Sequence, residues 1–385
     1  MSTPYRFIVD RQNLKSTRVG ADPDAPAARP LADGEARLRV DQYALTANNI
    51  TYAAFGEAMH YWQFFDSGVP GFGCVPVWGF AEVTESRCPG VEPGTRLYGY
   101  LPMGSHLVVK PERVRERGFI DGAAHRASLA RAYNEYVAVT HDPLYTPGAQ
   151  AEGLQSLLRP LFTTAFLIAD FLEQAAYFGA QRVLLSSASS KTAYATAFCI
   201  GLRQAAAGQP ARVALTSRGN AGFVQALGCY DGVATYDALA ELDPSIPSVY
   251  VDFSGDAALR RALHQHLGDA LRYDCAVGGA HWEALNQGRS ATPLPGPKPT
   301  LFFAPSYGQQ RAAEPPQGLG AAELQRQLAA AWHALIARMN TASSSADKPW
   351  LVQREIRGTE ALSASFDALR DGKVGAQDGL IVLPG

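Results

Sequence analysis

The sequence predicts an α/β protein in which a doubly wound parallel sheet, residues 158–307, is inserted into a β-rich domain formed by residues 1–157 and 308–385. Before residue 157, segments such as 36–46 alternate apolar and polar side chains with the period of two of a half-buried strand. After residue 157 short apolar strands alternate with helical patterns, the order of a parallel sheet with right-handed crossovers. A length of 385 residues suits two domains, at roughly 150 residues each.

In the first part, residues 75–83 and 95–100 are further strands, separated by Gly90, Pro93 and Gly94, and residues 111–132 form an inserted loop with one helix. A helix over 157–176 opens the second part. Strands at 182–186, 213–216, 249–253 and 271–277 then alternate with helices at 192–204, 221–227 and 257–267, the second of which ends at Gly228, a C-cap residue. Residues 300–304 extend the sheet. Pro-rich connections at 293–299 and 311–320 flank that strand. A helix over 324–339, a Ser-rich loop over 342–347, an extended segment at 350–356, a helix over 360–370 and a strand at 380–383 complete the chain.

Composition narrows the function. A formal net charge of −2 provides no basic field for nucleic acid. No apolar run reaches the roughly 18 residues of a membrane span, and the first residues lack the apolar core of a secretory signal. The five cysteines stand singly, which points away from a disulfide framework or structural zinc and toward a reducing, cytoplasmic setting. There is no G-x-S-x-G elbow and no Walker loop. His264 and His266, two apart, fall on different faces of a helix and read as solvated; His125 and Arg126 read as surface residues.

The segment Ser187, Ala188, Ser189, Ser190, Lys191, Thr192 carries the most chemistry. It follows a buried strand and opens a helix, so its backbone N–H groups suit a pyrophosphate. The usual fingerprint is G-x-G-x-x-G; here serines and alanines replace the glycines, small enough to admit a dinucleotide. The next strand ends at Thr216, Ser217, Arg218, where an acid would hold the ribose of NAD. Arg218 beside a hydroxyl, with Asn220 two residues on and Lys191 adding charge from the first loop, suits the 2′-phosphate of NADPH instead.

Taken in order, these segments resemble the quinone-oxidoreductase and enoyl-reductase branch of the medium-chain dehydrogenase/reductases. Residues 187–193 resemble that family's G-A-S-G-G-V-G loop, 163–166 its T-A-Y element, 223–228 its F-V-K-S-L-G, 231–236 its D-x-V-I-x-Y, and 361–375 its C-terminal segment. Asp252 to Gly255 resembles D-x-x-G after the fourth strand, which brings Phe253, Ser254 and Gly255 to the cofactor. With its N-N-I-T-Y-A stretch, the whole chain is similar to the DUF2855 subfamily. The resemblance implies a Rossmann domain inserted in a GroES-like domain, with NADPH as cofactor; Phe303, Ala304 and Pro305, which follow the last sheet strand, are expected to border the nicotinamide. It also implies a small apolar substrate in the cleft between the domains.

The resemblance places Asn49 near the first zinc-ligand position of the zinc members and Val77 or Trp78 near the second. None of these is a normal ligand, so no metal is expected. A zinc-free site must act through hydrogen bonds. Thr51 matches the proton-relay hydroxyl of those enzymes approximately, Tyr52 can donate a proton, and Asn49 can orient either. Tyr61 and Trp62 are the substrate-slot residues; in the bland alternative the aromatics are core and Asn49 stabilises a turn. The activity expected is hydride transfer from NADPH to a carbonyl or activated C=C. The rivals are a non-catalytic NADPH sensor or partner-binding protein, and a lyase or isomerase that uses bound nicotinamide transiently. An apolar sheet edge at residues 300–304 implies a homodimer.

Overall fold

The structure is a computed structural model that describes residues 3–203, 209–277, 294–345 and 350–385. The chain divides into two compact units, Met1–Pro160 with Leu351–Gly385, and Leu161–Trp350. In the first unit a hairpin of β1 (Tyr5–Asp10) and β2 (Thr17–Ala21) precedes β3 (Ala36–Leu45), α1 (Ala47–Ala54), β4 (Phe72–Gly73), β5 (Pro76–Ser86) and β6 (Arg96–Pro102). After β7 (His106–Val109), the region expected to be a loop with one helix holds β8 (Pro111–Arg115), β9 (Gly118–Asp121) and two short 3-10 turns, before β10 (Glu135–Ala138). The helix expected from 157 begins earlier, as α2 (Ala149–Gln174), and contains Pro160.

The second unit holds β11 (Arg182–Leu185), α3 (Lys191–Leu202), β12 (Ala211–Thr216), α4 (Ala221–Ala226), β13 (Gly232–Thr235), β14 (Ser248–Asp252), α5 (Ala257–Leu267), β15 (Leu271–Ala276) and β16 (Thr300–Leu301). Its six strands are all parallel, in the order β13-β12-β11-β14-β15-β16. Numbered within the unit this is 3-2-1-4-5-6, the dinucleotide-fold order, in which the strand order reverses between β11 and β14 and leaves a crevice at their carboxyl ends. The two strands in the middle of the sheet, β11 and β14, are buried throughout, as strands covered on both faces must be.

The strand expected over 300–304 stops at Leu301. Ala304 is instead the first residue of α6 (Ala304–Arg311), because Pro305 has no N–H for a ladder and is preorganised for a first helical turn. The Ser-rich segment expected to be a loop from 342 is helical to Ser345, as the end of α7 (Ala321–Ser345); residues 346 and 347 lie outside the described set. The domain boundary also differs. Residues 308–350, expected with the β-rich part, belong to the second unit. The apolar face of α7 explains this: Trp332 is buried against Phe162 with ring centroids 5.4 Å apart, and Trp350 meets Tyr194 at 5.6 Å.

The chain re-enters the first unit through β17 (Val352–Arg357), α8 (Thr359–Arg370) and β18 (Asp378–Leu383). β18 pairs with β3 and completes a sheet in the order β17-β18-β3-β5-β6-β10-β9-β8, with β7 on β3. Phe366 of α8 packs its ring 5.3 Å from Phe7 of β1, both fully buried, which ties the two ends of the chain into one core. Burial of side chains this size stabilises by about 1.5–3 kcal/mol each. Among the described residues no helix is long and apolar enough to cross a membrane.

Candidate functional site

The serine turn lies at the carboxyl end of β11, in the reversal crevice. Ser187 adopts a left-handed backbone, φ 47°, the conformation for which the usual fingerprint spends a glycine. Ala188 is buried and its N–H bonds the Leu215 carbonyl of β12. Ser190 caps α3, its hydroxyl accepting the Ala193 N–H at 3.3 Å. The Ser189 hydroxyl accepts from Asn220 Nδ2 at 3.2 Å, so Asn220 braces the turn from the end of β12. Ser187, Ser189, Ser190, Lys191 and Thr192 are all partly exposed, which leaves the helix start open to a ligand.

Two donors of this region are already engaged. The Ser187 N–H bonds the Tyr236 hydroxyl at 3.0 Å. The Arg218 guanidinium pairs with the Asp237 carboxylate, and both side chains are exposed, 83% and 52%. Thr235 donates to the other Asp237 oxygen at 2.5 Å and thereby holds that carboxyl below its usual range. Ser217 is exposed beside Arg218, whereas Thr216 is buried in the strand and cannot face a ribose without a shift. Small side chains, a left-handed first residue and an exposed arginine on the second strand fit a dinucleotide with a 2′-phosphate.

The crevice wall is built on ions that sequence reasoning missed. Asp252, fully buried at the end of β14, accepts from the Ser186 hydroxyl at 2.8 Å, from Tyr250 at 2.9 Å and from the Ser254 and Gly255 N–H groups at 2.9 and 3.1 Å. Ser186 in turn accepts the Phe253 N–H at 2.9 Å. The N–H groups of Phe253, Ser254 and Gly255, expected to face the cofactor, are therefore spent inside the wall. Arg260 joins Asp252 at 2.5 Å to Asp274 at 3.1 Å, and His264 bonds Asp274 at 2.9 Å and the Pro295 carbonyl at 2.7 Å. His264, expected to be solvated, is fully buried because these acceptors hold both ring nitrogens. His266 also departs from a solvated role, bonding the Leu242 carbonyl at 2.7 Å.

In the first unit, Tyr52 sits in a nest of aromatic rings: Tyr61 at 4.6 Å and Tyr100 at 5.8 Å between centroids, with Trp78 and Tyr133 4.9 and 4.7 Å from Tyr100. Register explains the gathering, since Trp78 of β5 lies directly across from Tyr100 of β6. Burial holds the Tyr52 phenol well above its ordinary value, beside Trp78 and the Asn48 side chain. Within the nest, the Trp78 indole N–H and the Tyr98 and Tyr100 hydroxyls are buried without a hydrogen-bond partner. The inserted region supplies an outer wall. Arg126 is buried, 3.2 Å from Asp121, bonds the Tyr136 hydroxyl at 3.2 Å and covers the Phe65 ring at 4.6 Å, contrary to a surface role.

Of the expected catalytic trio, Tyr52 alone keeps a hydroxyl beside other polar groups of the nest. Asn49 Oδ1 accepts the Thr46 N–H at 2.7 Å and its Nδ2 donates to the Pro76 carbonyl at 2.8 Å, so it fastens the start of α1 to β5. Thr51 donates back to the Ala47 carbonyl at 3.4 Å, a bond within the helix. Tyr61, a substrate-slot candidate, packs in the nest against Tyr52. Trp62 does not: its ring is wedged between Gly56 and Gly73, where an added Cβ would come within 2.0 and 2.2 Å of it. Ala304 opens α6 on the far edge of the sheet, after β16. Among the described residues no group of three His, Cys, Asp or Glu side chains is arranged to hold a metal ion.

The family model of DUF2855, a protein of unknown function, matches residues 43–375, and the chain belongs to that family. No curated protein matches it by sequence. Solved structures are similar over both full lengths. CurK enoyl reductase has 16% identity and a TM-score of 0.55, each chain covered to 99%. CurA from Vibrio vulnificus in complex with NADPH has 12% identity and a TM-score of 0.60, with 99% of each chain covered. YhdH from E. coli K-12 with bound NADPH has 16% identity and a TM-score of 0.52, covering 99% of this chain and 100% of its own. At such identities the likeness is one of fold: a GroES-like β domain and a Rossmann domain, as in the medium-chain dehydrogenase/reductases.

Proposed function

For this DUF2855 protein with a medium-chain reductase fold, we propose an NADPH-dependent, zinc-independent oxidoreductase that reduces a carbonyl or activated C=C of a small apolar molecule. The observation that carries this reading is the serine turn itself: at the strand-order reversal of a dinucleotide-type sheet, with Ser187 left-handed and Arg218 in the turn after the adjoining strand. CurA and YhdH, which share the fold, were solved with NADPH.

NADPH, when bound, supplies a hydride. Tyr52 supplies the matching proton: for a carbonyl the hydride enters carbon and the proton enters oxygen, and for an enone they enter the β and α carbons. Burial keeps the phenol protonated until a developing oxyanion withdraws its hydrogen. The unpartnered Trp78 N–H and Tyr100 O–H are donors for that oxyanion, a role metal would otherwise fill. Nothing at Asn49, Val77 or Trp78 is a zinc ligand by chemistry, and Asn49 is committed to backbone.

That commitment of Asn49 and Thr51 also favours a second reading, a non-catalytic NADPH sensor. Consumption of NADPH with a panel of enones, quinones and ketones separates the readings. The first requires turnover; tight binding without turnover against any of them supports the sensor. Product formed without net NADPH loss supports a lyase or isomerase.

The same reading includes a homodimer and a reducing, cytoplasmic setting. β16 is the outermost strand on its side of the sheet, with Leu301 and Phe303 49% and 48% exposed, and all five cysteines are free. Sedimentation that finds a single-chain species over a wide concentration range removes the dimer.

A further inference from the structure

Resting on the NADPH reading, we infer that Asp237 is a built-in competitor for the 2′-phosphate and so sets how strongly the site prefers NADPH over NADH. Arg218 is the first residue of the turn after β12, and Asp237 lies in the turn after β13, the neighbouring parallel strand. The register pairs Thr216 with Thr235, so residues two beyond each meet at the same sheet end. One Asp237 oxygen takes the Arg218 guanidinium and the other takes the Thr235 hydroxyl. This gives the carboxylate the contacts that a phosphate on the ribose would make: an arginine and a hydroxyl donor.

The pairing has two consequences. The group expected to attract the 2′-phosphate is neutralised before the cofactor arrives, and a phosphate reaching Arg218 meets a second anion beside it. Exposed ion pairs are weak, so the dianionic phosphate can displace the carboxylate. Displacement and the residual repulsion between phosphate and carboxylate both lower affinity for NADPH, and neither touches NADH, which carries no 2′-phosphate. The adjacent Tyr236 does the corresponding thing at Ser187, its hydroxyl lying on an N–H of the phosphate turn. A chain without these two residues would present both donors free.

The test is the dissociation constants of NADPH and NADH, by calorimetry, for the full chain and for Asp237→Asn, Arg218→Ala and the double variant. Asp237→Asn is expected to bind NADPH about three- to tenfold more tightly, with NADH within twofold of the parent. Arg218→Ala is expected to weaken NADPH by about tenfold or more, and in that background Asp237→Asn should recover no more than about twofold. Unchanged or weaker NADPH binding by Asp237→Asn overturns the inference while leaving the NADPH reading standing. So does a gain that survives in full without Arg218, which would make the carboxylate a general repeller. Loss of NADH binding in Asp237→Asn overturns it too, by making Asp237 a ribose ligand. Failure of the parent to bind either nucleotide defeats the cofactor reading and the inference together.

Discussion

Two buried polar clusters, one in each unit, are built in opposite ways. The Rossmann unit's crevice wall is an ion cluster in which Asp252 alone collects Ser186, Tyr250, two backbone N–H groups and Arg260. The aromatic nest of the β-rich unit, a unit that elsewhere also buries the Arg6–Asp22 and Arg126–Asp121 pairs, gathers neutral phenols and an indole and leaves three of their hydrogens without a partner. Charges removed from water must be paired or they destabilise severely, so an ionic wall is rigid by necessity. An unpaired phenol costs less and keeps its hydrogen available. The ionic wall therefore suits holding a backbone crevice in shape, and the phenol nest suits donating hydrogens to a reacting oxygen.

Alkaline pH should have the largest effect, and on both units, since burial raises the phenols of Tyr194 and Tyr250 in the Rossmann unit as well. Tyr52, Tyr61, Tyr98 and Tyr100 all have phenols raised by burial above their ordinary value of 10.0. Their neutral forms favour the folded state, so that contribution is complete below pH 10 and is lost as pH rises through the folded values. Each contributes about 1.4 kcal/mol per pH unit in that range. Near-ultraviolet circular dichroism during urea titrations should report a steep fall in stability above pH 10. A flat profile from pH 9 to 12 would break the account of the nest.

Removing Arg260 comes next. Arg260→Ala leaves two buried carboxylates facing each other and is expected to cost about 3–5 kcal/mol of unfolding free energy. Tyr100→Phe, which removes an unpartnered hydroxyl, is expected to change it by under about 1 kcal/mol in either direction. Equal costs for the two would erase the contrast between units.

Tyr52→Phe separates chemistry from stability. The rate of NADPH-dependent reduction should drop about 100-fold or more, while the unfolding midpoint moves little. An activity loss below about threefold would move the proton donor elsewhere. The smallest effect belongs to Ser187→Gly, which relieves the left-handed backbone and should stabilise by up to about 1 kcal/mol.

Much of this was legible in the chain. The strand and helix alternation and the place of the serine turn at the end of β11 follow from local patterns that need no distant partner, as does the choice of Arg218 and Tyr52 as candidates. What escaped depends on partners far away in sequence. Asp237 meets Arg218 only because β13 lies beside β12, and β13 is a short strand of Gly, Val, Ala and Thr. His264 and Arg260 look like the polar face of an amphipathic helix until Asp252 and Asp274 are placed beneath them. Trp62 and Tyr61 are neighbours with opposite fates, decided by Gly56 and Gly73 on either side of the indole. The fold boundary at 350 turned on the apolar face of α7, which pattern alone assigns to no particular partner.

The most direct test of the central claim is calorimetric titration of the unmodified full chain with NADPH and, separately, NADH. The expected result is one NADPH per chain, bound at least about tenfold more tightly than NADH, since only NADPH offers Arg218 a phosphate. Equal or tighter binding of NADH would contradict the account, as would the absence of binding by both.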